Sequence, residues 1–153
     1  MSDLHASDLH WLTAAEAARR IATRDLSPVT LMQALLDRTA RLDPKLNAFI
    51  RVDAEAAMAA ARAAEAEAAS GRLRGPLHGV PVGIKDIIDV AGLPTTGHSK
   101  ILMDNVATAD AVCVEKLRGA GAIVVGKLST HEFAIGGPSF DLPWPPMRAG
   151  RGL

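Results

Sequence analysis

Apolar residues along the first seventy positions recur mostly at intervals of three and four, which predicts helices. The first begins at Thr13-Ala14-Ala15-Glu16, where a Thr cap followed three residues later by Glu can satisfy exposed backbone donors reciprocally. It is expected to stop near Arg24. A second starts at Ser27-Pro28 and carries Met32, Leu35, Leu36 and Leu42 on one face, with Pro44 expected to close it. After a short extended piece from Ala48 to Val52, Asp53 caps a third helix over 54–69, in which eleven of sixteen residues are Ala. Alanine is the strongest helix former, so this run reads as ordered. Ser70-Gly71 ends it.

The pattern changes at Gly75-Pro76, where short Val- and Ile-rich runs replace helical spacing. Val80-Pro81-Val82-Gly83-Ile84 reads as a strand, and its proline predicts an edge position or a bulge. A loop through Gly92-Leu93-Pro94-Thr95-Thr96-Gly97 leads to a helix expected from about Thr108 to Arg118. Ala122 to Val125 forms a second strand. Strand, crossover helix and strand predict two parallel neighbours with a right-handed connection. Lys85 and Lys127 then fall at the carboxyl ends of these strands, the edge of an α/β sheet where ligands bind. Ser129-Thr130-His131-Glu132 offers another capping box, for a short helix stopping at Gly136-Gly137. Four prolines between Pro138 and Pro146 and the tail from Met147 to Leu153 predict irregular chain.

Composition narrows the function classes. The 153 residues suit one ordinary domain, and seventeen basic against seventeen acidic residues leave no net charge. No overall field draws the chain to nucleic acid or an anionic membrane. Only 3% of residues are aromatic and none is Tyr, which leaves few platforms for stacking bases. No run approaches the roughly 20 apolar residues of a membrane span. A lone cysteine and no visible secretory signal predict a reducing, cytoplasmic setting.

Most candidate motifs have plain readings. His5, His10, His78, His98 and His131 include no zinc-type pair on a helix. Gly119, Gly121 and Gly126 precede a strand instead of following one, so they read as a helix cap and turn. Cys113, placed mid-helix, reads as a small buried hydrophobe. The run Gly79-Val80-Pro81-Val82-Gly83-Ile84-Lys85-Asp86 stands apart. An amine set between Ile84 and Ile87-Ile88 is expected to be partly desolvated, and desolvation favours the neutral form that can accept a proton. Ion pairing of Lys85 with Asp86 or Asp89 is the competing reading.

These residues carry a family resemblance. Gly-Val-Pro-Val-Gly-Ile-Lys-Asp and Gly-Leu-Pro-Thr-Thr-Gly, followed by Ala109-Asp110-Ala111, the 119–127 run and Thr130-His131-Glu132-Phe133-Ala134, resemble the amidase signature family in order and separation. The resemblance implies an α/β fold: N-terminal helices over 1–74, then the first βαβ portion of a mixed sheet over 75–137. Together 1–146 would be the N-terminal portion of the family domain, and 147–153 a tail outside the pattern. It implies hydrolysis of carboxylic amides by a Ser, cis-Ser, Lys triad without metal or organic cofactor. Lys85 would be the triad lysine. Gly136 and Gly137 would lie at the substrate rim, although a helix-ending turn explains them equally.

The family's Gly-Gly-Ser-Ser-Gly-Gly segment and its later Asp-Thr-Gly-Gly-Ser segment are not among these 153 residues. Ser129 and Ser139 lack such a glycine context. The chain is therefore expected to be inactive alone, to leave apolar faces unpartnered, and to fold poorly by itself. The implied partners are a small-molecule amide, a missing C-terminal half or a second copy. Neither nucleic acid nor membrane is expected to bind directly. Two further readings stay open: the glutamine-hydrolysing component of an amidotransferase that amidates misacylated tRNA, and a non-catalytic α/β binding or complementation module.

Overall fold

Thr13 opens the first long helix as its capping residue: the Glu16 N–H donates to its hydroxyl at 3.1 Å. The computed structural model describes residues 6–137 and 142–148. In chain order the elements are α1 (Ala14–Ala22), α2 (Pro28–Leu46), β1 (Phe49–Val52), α3 (Ala54–Ala69), β2 (Pro81–Lys85), α4 (Val112–Gly119) and β3 (Ile123–Leu128), with short 3-10 turns at Ala6–Trp11, Lys100–Leu102 and Glu132–Ala134. The mixed α/β class expected from the sequence is the class observed.

The chain divides into two units. The first comprises the described residues of Met1–Arg41, Asp53–Val82 and Lys116–Val125. Its core gathers Leu9, Ala17, Ile21, Leu26 and Leu31. In α3, the buried residues Ala57, Ala61, Ala64 and Ala68 form a stripe at spacings of four, three and four, the seam of an amphipathic helix. Asp53 caps α3 through the Ala56 N–H, and Gly71 leaves it at φ 75°, the left-handed conformation that ends many helices. His78 is buried beside it. Its Nδ1 accepts the Arg74 N–H at 3.1 Å, so Nε2 carries the proton toward the Ala64 carbonyl at 2.9 Å. Gly121 passes so close to His78 that an added Cβ would lie 2.6 Å from its Cα. Glycine is required there.

The second unit comprises Leu42–Val52, Gly83–Glu115 and the described residues of Gly126–Leu153. The sheet order is β1-β3-β2. β1 pairs antiparallel with β3, with Arg51 opposite Lys127 and Val52 opposite Gly126. Between β2 and β3, the Ile123 N–H donates to the Val80 carbonyl and the Asp86 N–H to the Leu128 carbonyl. Pairing advances in the same direction along both strands, so they are parallel. β2 has a described strand on one side only, the edge position its proline predicts.

Four local expectations are corrected. Pro44 does not close α2. It sits inside the last turn while the Asn47 N–H donates to the Asp43 carbonyl at 2.8 Å, and Asn47 at φ 53° ends the helix. Asp43 Oδ1 then accepts the Ala48 and Phe49 N–H groups, leading the chain into β1. α4 begins at Val112 instead of Thr108, because Ala107 and Ala111 exchange backbone hydrogen bonds with the 89–93 segment. Cys113, near the start of α4, is exposed. Gly126 belongs to β3, not to a turn: a Cβ there would lie 2.1 Å from the Arg51 carbonyl oxygen, so only glycine lets β1 approach.

Candidate active site

β2 alternates as a strand must, burying Ile84, exposing Lys85 and burying Asp86 just beyond its end. The expected desolvation of Lys85 is therefore not met within these residues. Its side chain points away from the face that Ile84 and Asp86 cover, and the flanking Ile87 is itself 43% exposed. The buried amine at this edge is Lys127, with only 1% of its surface accessible.

Lys127 is fully coordinated. Its Nζ donates to the Pro94 carbonyl at 3.0 Å and to Thr95 Oγ1 at 2.8 Å, and it faces Asp86 Oδ1 at 3.1 Å. The other carboxylate oxygen of Asp86 accepts the Thr96 N–H at 3.1 Å and the Thr96 hydroxyl. A buried ammonium and a buried carboxylate are each costly alone and become tolerable only when paired and hydrogen-bonded, as here. The pair ties the end of β2, the end of β3 and the Pro94-Thr95-Thr96-Gly97 loop together. It thereby fixes where the backbone of Lys85 sits.

A second polar cluster follows in the same unit. His98, at φ 58° and buried, receives the Thr130 N–H on Nδ1 at 3.4 Å, with Ser129 Oγ 3.2 Å from the same nitrogen. A ring nitrogen accepting a backbone N–H carries no proton, so Nε2 is the donor, to the Trp144 carbonyl at 3.1 Å. The Trp144 ring meets the imidazole edge-on at 5.6 Å. Ser99 donates its hydroxyl to Glu132 at 2.7 Å.

These contacts replace the capping box expected at 129–132. Ser129 and Glu132 bond to the 98–99 segment instead, leaving a single 3-10 turn with Phe133 and Ala134 at positive φ. Gly136, at φ 83°, and Gly137 are exposed with open space around them. Ser139 lies outside the described residues. A pocket of about 180 Å³ is lined by Arg51, Asp86, Pro94, Thr96, Lys127 and Trp144 among others. Its polar wall is the Asp86–Lys127 pair. The competing reading of the sequence paired Lys85 with Asp86 or Asp89, whereas Asp86 pairs with Lys127; the parts played by Thr95, Thr96, Glu132 and Trp144 were not foreseen. The usable signal was Lys127 itself, an amine inside an apolar strand, which demands a buried counter-charge.

The family model described as Amidase matches residues 30–139. The chain belongs to the amidase family. Among curated relatives, this amidase-family chain is 44% identical over 142 residues to the A-type component of the glutamyl-tRNA(Gln) amidotransferase of Acidothermus cellulolyticus, a match covering 93% of this chain and 28% of that protein. It is 42% identical over 125 residues to an acylamidase of Rhodococcus erythropolis, covering 82% of this chain and 26% of that one. The native peptide amidase of Stenotrophomonas maltophilia superposes with a TM-score of 0.72 at 39% identity, over 78% of this chain and 25% of its own. A structure described as a vestigial protein complex bearing on the origins of an s-triazine catabolic enzyme superposes with a TM-score of 0.83 at 33% identity, over 90% of this chain and 30% of its own. The chain thus spans less than a third of the length of these amidase-family relatives. Among the described residues, no helix is long and apolar enough to cross a membrane.

Proposed function

We propose that this chain contributes the proton-accepting lysine, Lys85, to an amide hydrolase acting on small carboxylic amides. The observation that carries the reading is the position of Lys85: the last residue of β2, inside the Gly-Ile-Lys-Asp run matched by the family, with no ion pair to its amine among the described residues, Asp86 being committed to Lys127. A serine hydroxyl is a poor nucleophile until a base takes its proton, and a neutral lysine can do so through a bridging serine. In that reading the proton passes from the nucleophilic serine to the bridging serine as the latter gives its own to Lys85 Nζ. Lys85 then returns a proton to the departing amine as the C–N bond breaks, and water releases the acid. Both serines must come from outside these 153 residues, so the chain alone is inactive. Gly136 and Gly137, small and unobstructed, would flank the substrate without blocking it.

The test joins this chain in frame to the part of the Rhodococcus erythropolis acylamidase outside its matched segment and follows ammonia release from a simple carboxamide. Lys85→Met should lower kcat by about 10²–10⁴-fold, the usual worth of a positioned base. Unchanged turnover in that variant would remove Lys85 from the mechanism, and turnover by the 153 residues alone would refute their inactivity. A second reading is the glutamine-hydrolysing component of a tRNA-dependent amidotransferase, favoured by identities of 44% and 46% to two such amidotransferase components. Hydrolysis of glutamine in preference to simple amides would support it.

A further inference from the structure

Arg51 of β1 and Lys127 of β3 stand directly opposite each other in the antiparallel pair. Cross-strand partners project from the same face of a sheet, so two positive charges are set side by side, an arrangement that costs stability unless negative charge answers it. Lys127 has its answer in Asp86 at 3.1 Å. Arg51 has none: it is exposed, and no hydrogen bond or ion pair engages its guanidinium among the described residues.

Arg51, Lys127 and Asp86 all line the pocket of about 180 Å³ in the second unit. Two positive charges against one negative leave these walls with a net positive charge, which favours an anion. A planar guanidinium meets a carboxylate through two parallel N–H bonds, a geometry that an ammonium does not offer.

Two more features narrow the class. Ile50, Met103 and Trp144 supply apolar and aromatic wall, and the volume suits a six-membered ring, since an apolar cavity of about 150 Å³ takes up benzene. Asp86 Oδ1 is buried and accepts no hydrogen bond among the described residues, facing only the Lys127 ammonium. The other carboxylate oxygen is held by Thr96. A buried acceptor without a donor is costly and uncommon, so a neutral hydroxyl brought in by a ligand has a place to donate. Lys127 balances the charge of Asp86, which limits its repulsion of an anion in the same pocket.

We propose that this pocket binds a small apolar 2-hydroxycarboxylate. The carboxylate meets Arg51, the hydroxyl donates to Asp86 Oδ1, and the ring or branched chain lies against Ile50, Met103 and Trp144. Lys85 takes no part, because its side chain leaves β2 on the opposite face. The site therefore holds whether or not Lys85 is the base.

The test uses the intact 153-residue chain carrying Trp11→Phe, so that emission reports Trp144 alone, and titrates mandelate, whose ring, carboxylate and hydroxyl match the three contacts. Emission should change saturably, and the unfolding temperature should rise with mandelate concentration, as for any ligand held only by the folded state. Mandelamide, which lacks the charge, should bind at least about tenfold more weakly. Phenylacetate, which lacks the hydroxyl, should bind roughly fivefold more weakly. Arg51→Gln, at an exposed position, should abolish the preference for mandelate over mandelamide, and Arg51→Lys should keep part of it.

Absence of a saturable response up to about 10 mM mandelate overturns the proposal. So does equal affinity for mandelamide, or an Arg51→Gln protein that still prefers the acid. Equal affinity for phenylacetate overturns the contact with Asp86 and with it the hydroxy-acid assignment.

Discussion

Lys127 and Asp86 face each other across 3.1 Å with each side chain 1% exposed, so two opposite charges are held where water does not reach. Removing one partner leaves the other charged, buried and short of hydrogen bonds. Lys127→Met or Asp86→Asn should each cost roughly 3–5 kcal/mol of stability. The double replacement should cost less than the sum of the two, because no lone charge remains. Urea unfolding of the four proteins measures this. A loss below about 1 kcal/mol for either single change would mean the pair behaves as a solvated surface bridge.

A glycine inside β3 and one at the end of α4 should respond oppositely. Gly126→Ala drives a methyl to within 2.1 Å of the Arg51 carbonyl oxygen, which β1 can relieve only by leaving β3. Gly119, the last residue of α4, has nothing within 4 Å of an added Cβ and no left-handed backbone. Gly119→Ala should be neutral or stabilising by up to about 0.5–1 kcal/mol through helix propensity. Amide exchange at residues 49–52 should rise sharply in Gly126→Ala and not in Gly119→Ala.

How much of this was legible beforehand depended on whether local signals acted alone. The caps at Thr13 and Asp53, the alanine helix and the parallel pair β2 and β3 follow from nearest-neighbour chemistry and periodicity, and they form where expected. The expectations that failed are those in which a distant segment overrode a local one. Ser129 and Glu132 could cap their own helix, but His98 and Ser99, some thirty residues earlier, take their hydrogen bonds. Thr108–Ala111 could extend α4, but the loop after β2 claims that backbone. Lys85 lay in the most recognisable motif of the chain, and its neighbourhood of isoleucines predicted burial. Strand alternation places it on the uncovered side, and only Lys127, deep in an apolar run, signalled where the buried charge would be.

Acid should weaken the first unit in a defined window. Arg74 donates two hydrogen bonds to Glu67 at 2.7 Å each, and those bonds hold the Glu67 carboxyl below its ordinary value of 4.5. Hydrogen bonds from Arg19 and then Arg20 do the same for Glu16. A carboxyl whose folded pKa is depressed stabilises the fold fully above its unfolded value and loses that contribution as pH falls through the folded one. The thermal midpoint should therefore decline as pH drops below about 4.5. Glu67→Gln should flatten part of that decline, and added salt should shrink the effect because both carboxylates meet solvent. A decline of unchanged steepness in Glu67→Gln would assign the acid sensitivity to other carboxyls.

His98 should govern the environment of Trp144. The imidazole accepts from Thr130 on one side and donates to the Trp144 carbonyl on the other, with the two rings edge to face. His98→Ala would delete that anchor and strand the buried Ser129 hydroxyl and Thr130 N–H, at a cost of about 1–3 kcal/mol for each group left unpaired. The chain has two tryptophans, and Trp11 is 76% exposed. In a Trp11→Phe background the emission therefore reports Trp144 alone. It should shift to longer wavelength and become more accessible to acrylamide in His98→Ala. His98→Gln, whose amide can both accept and donate, should recover part of the native spectrum. Identical emission in all three proteins would mean that neighbours other than His98 hold Trp144 in place.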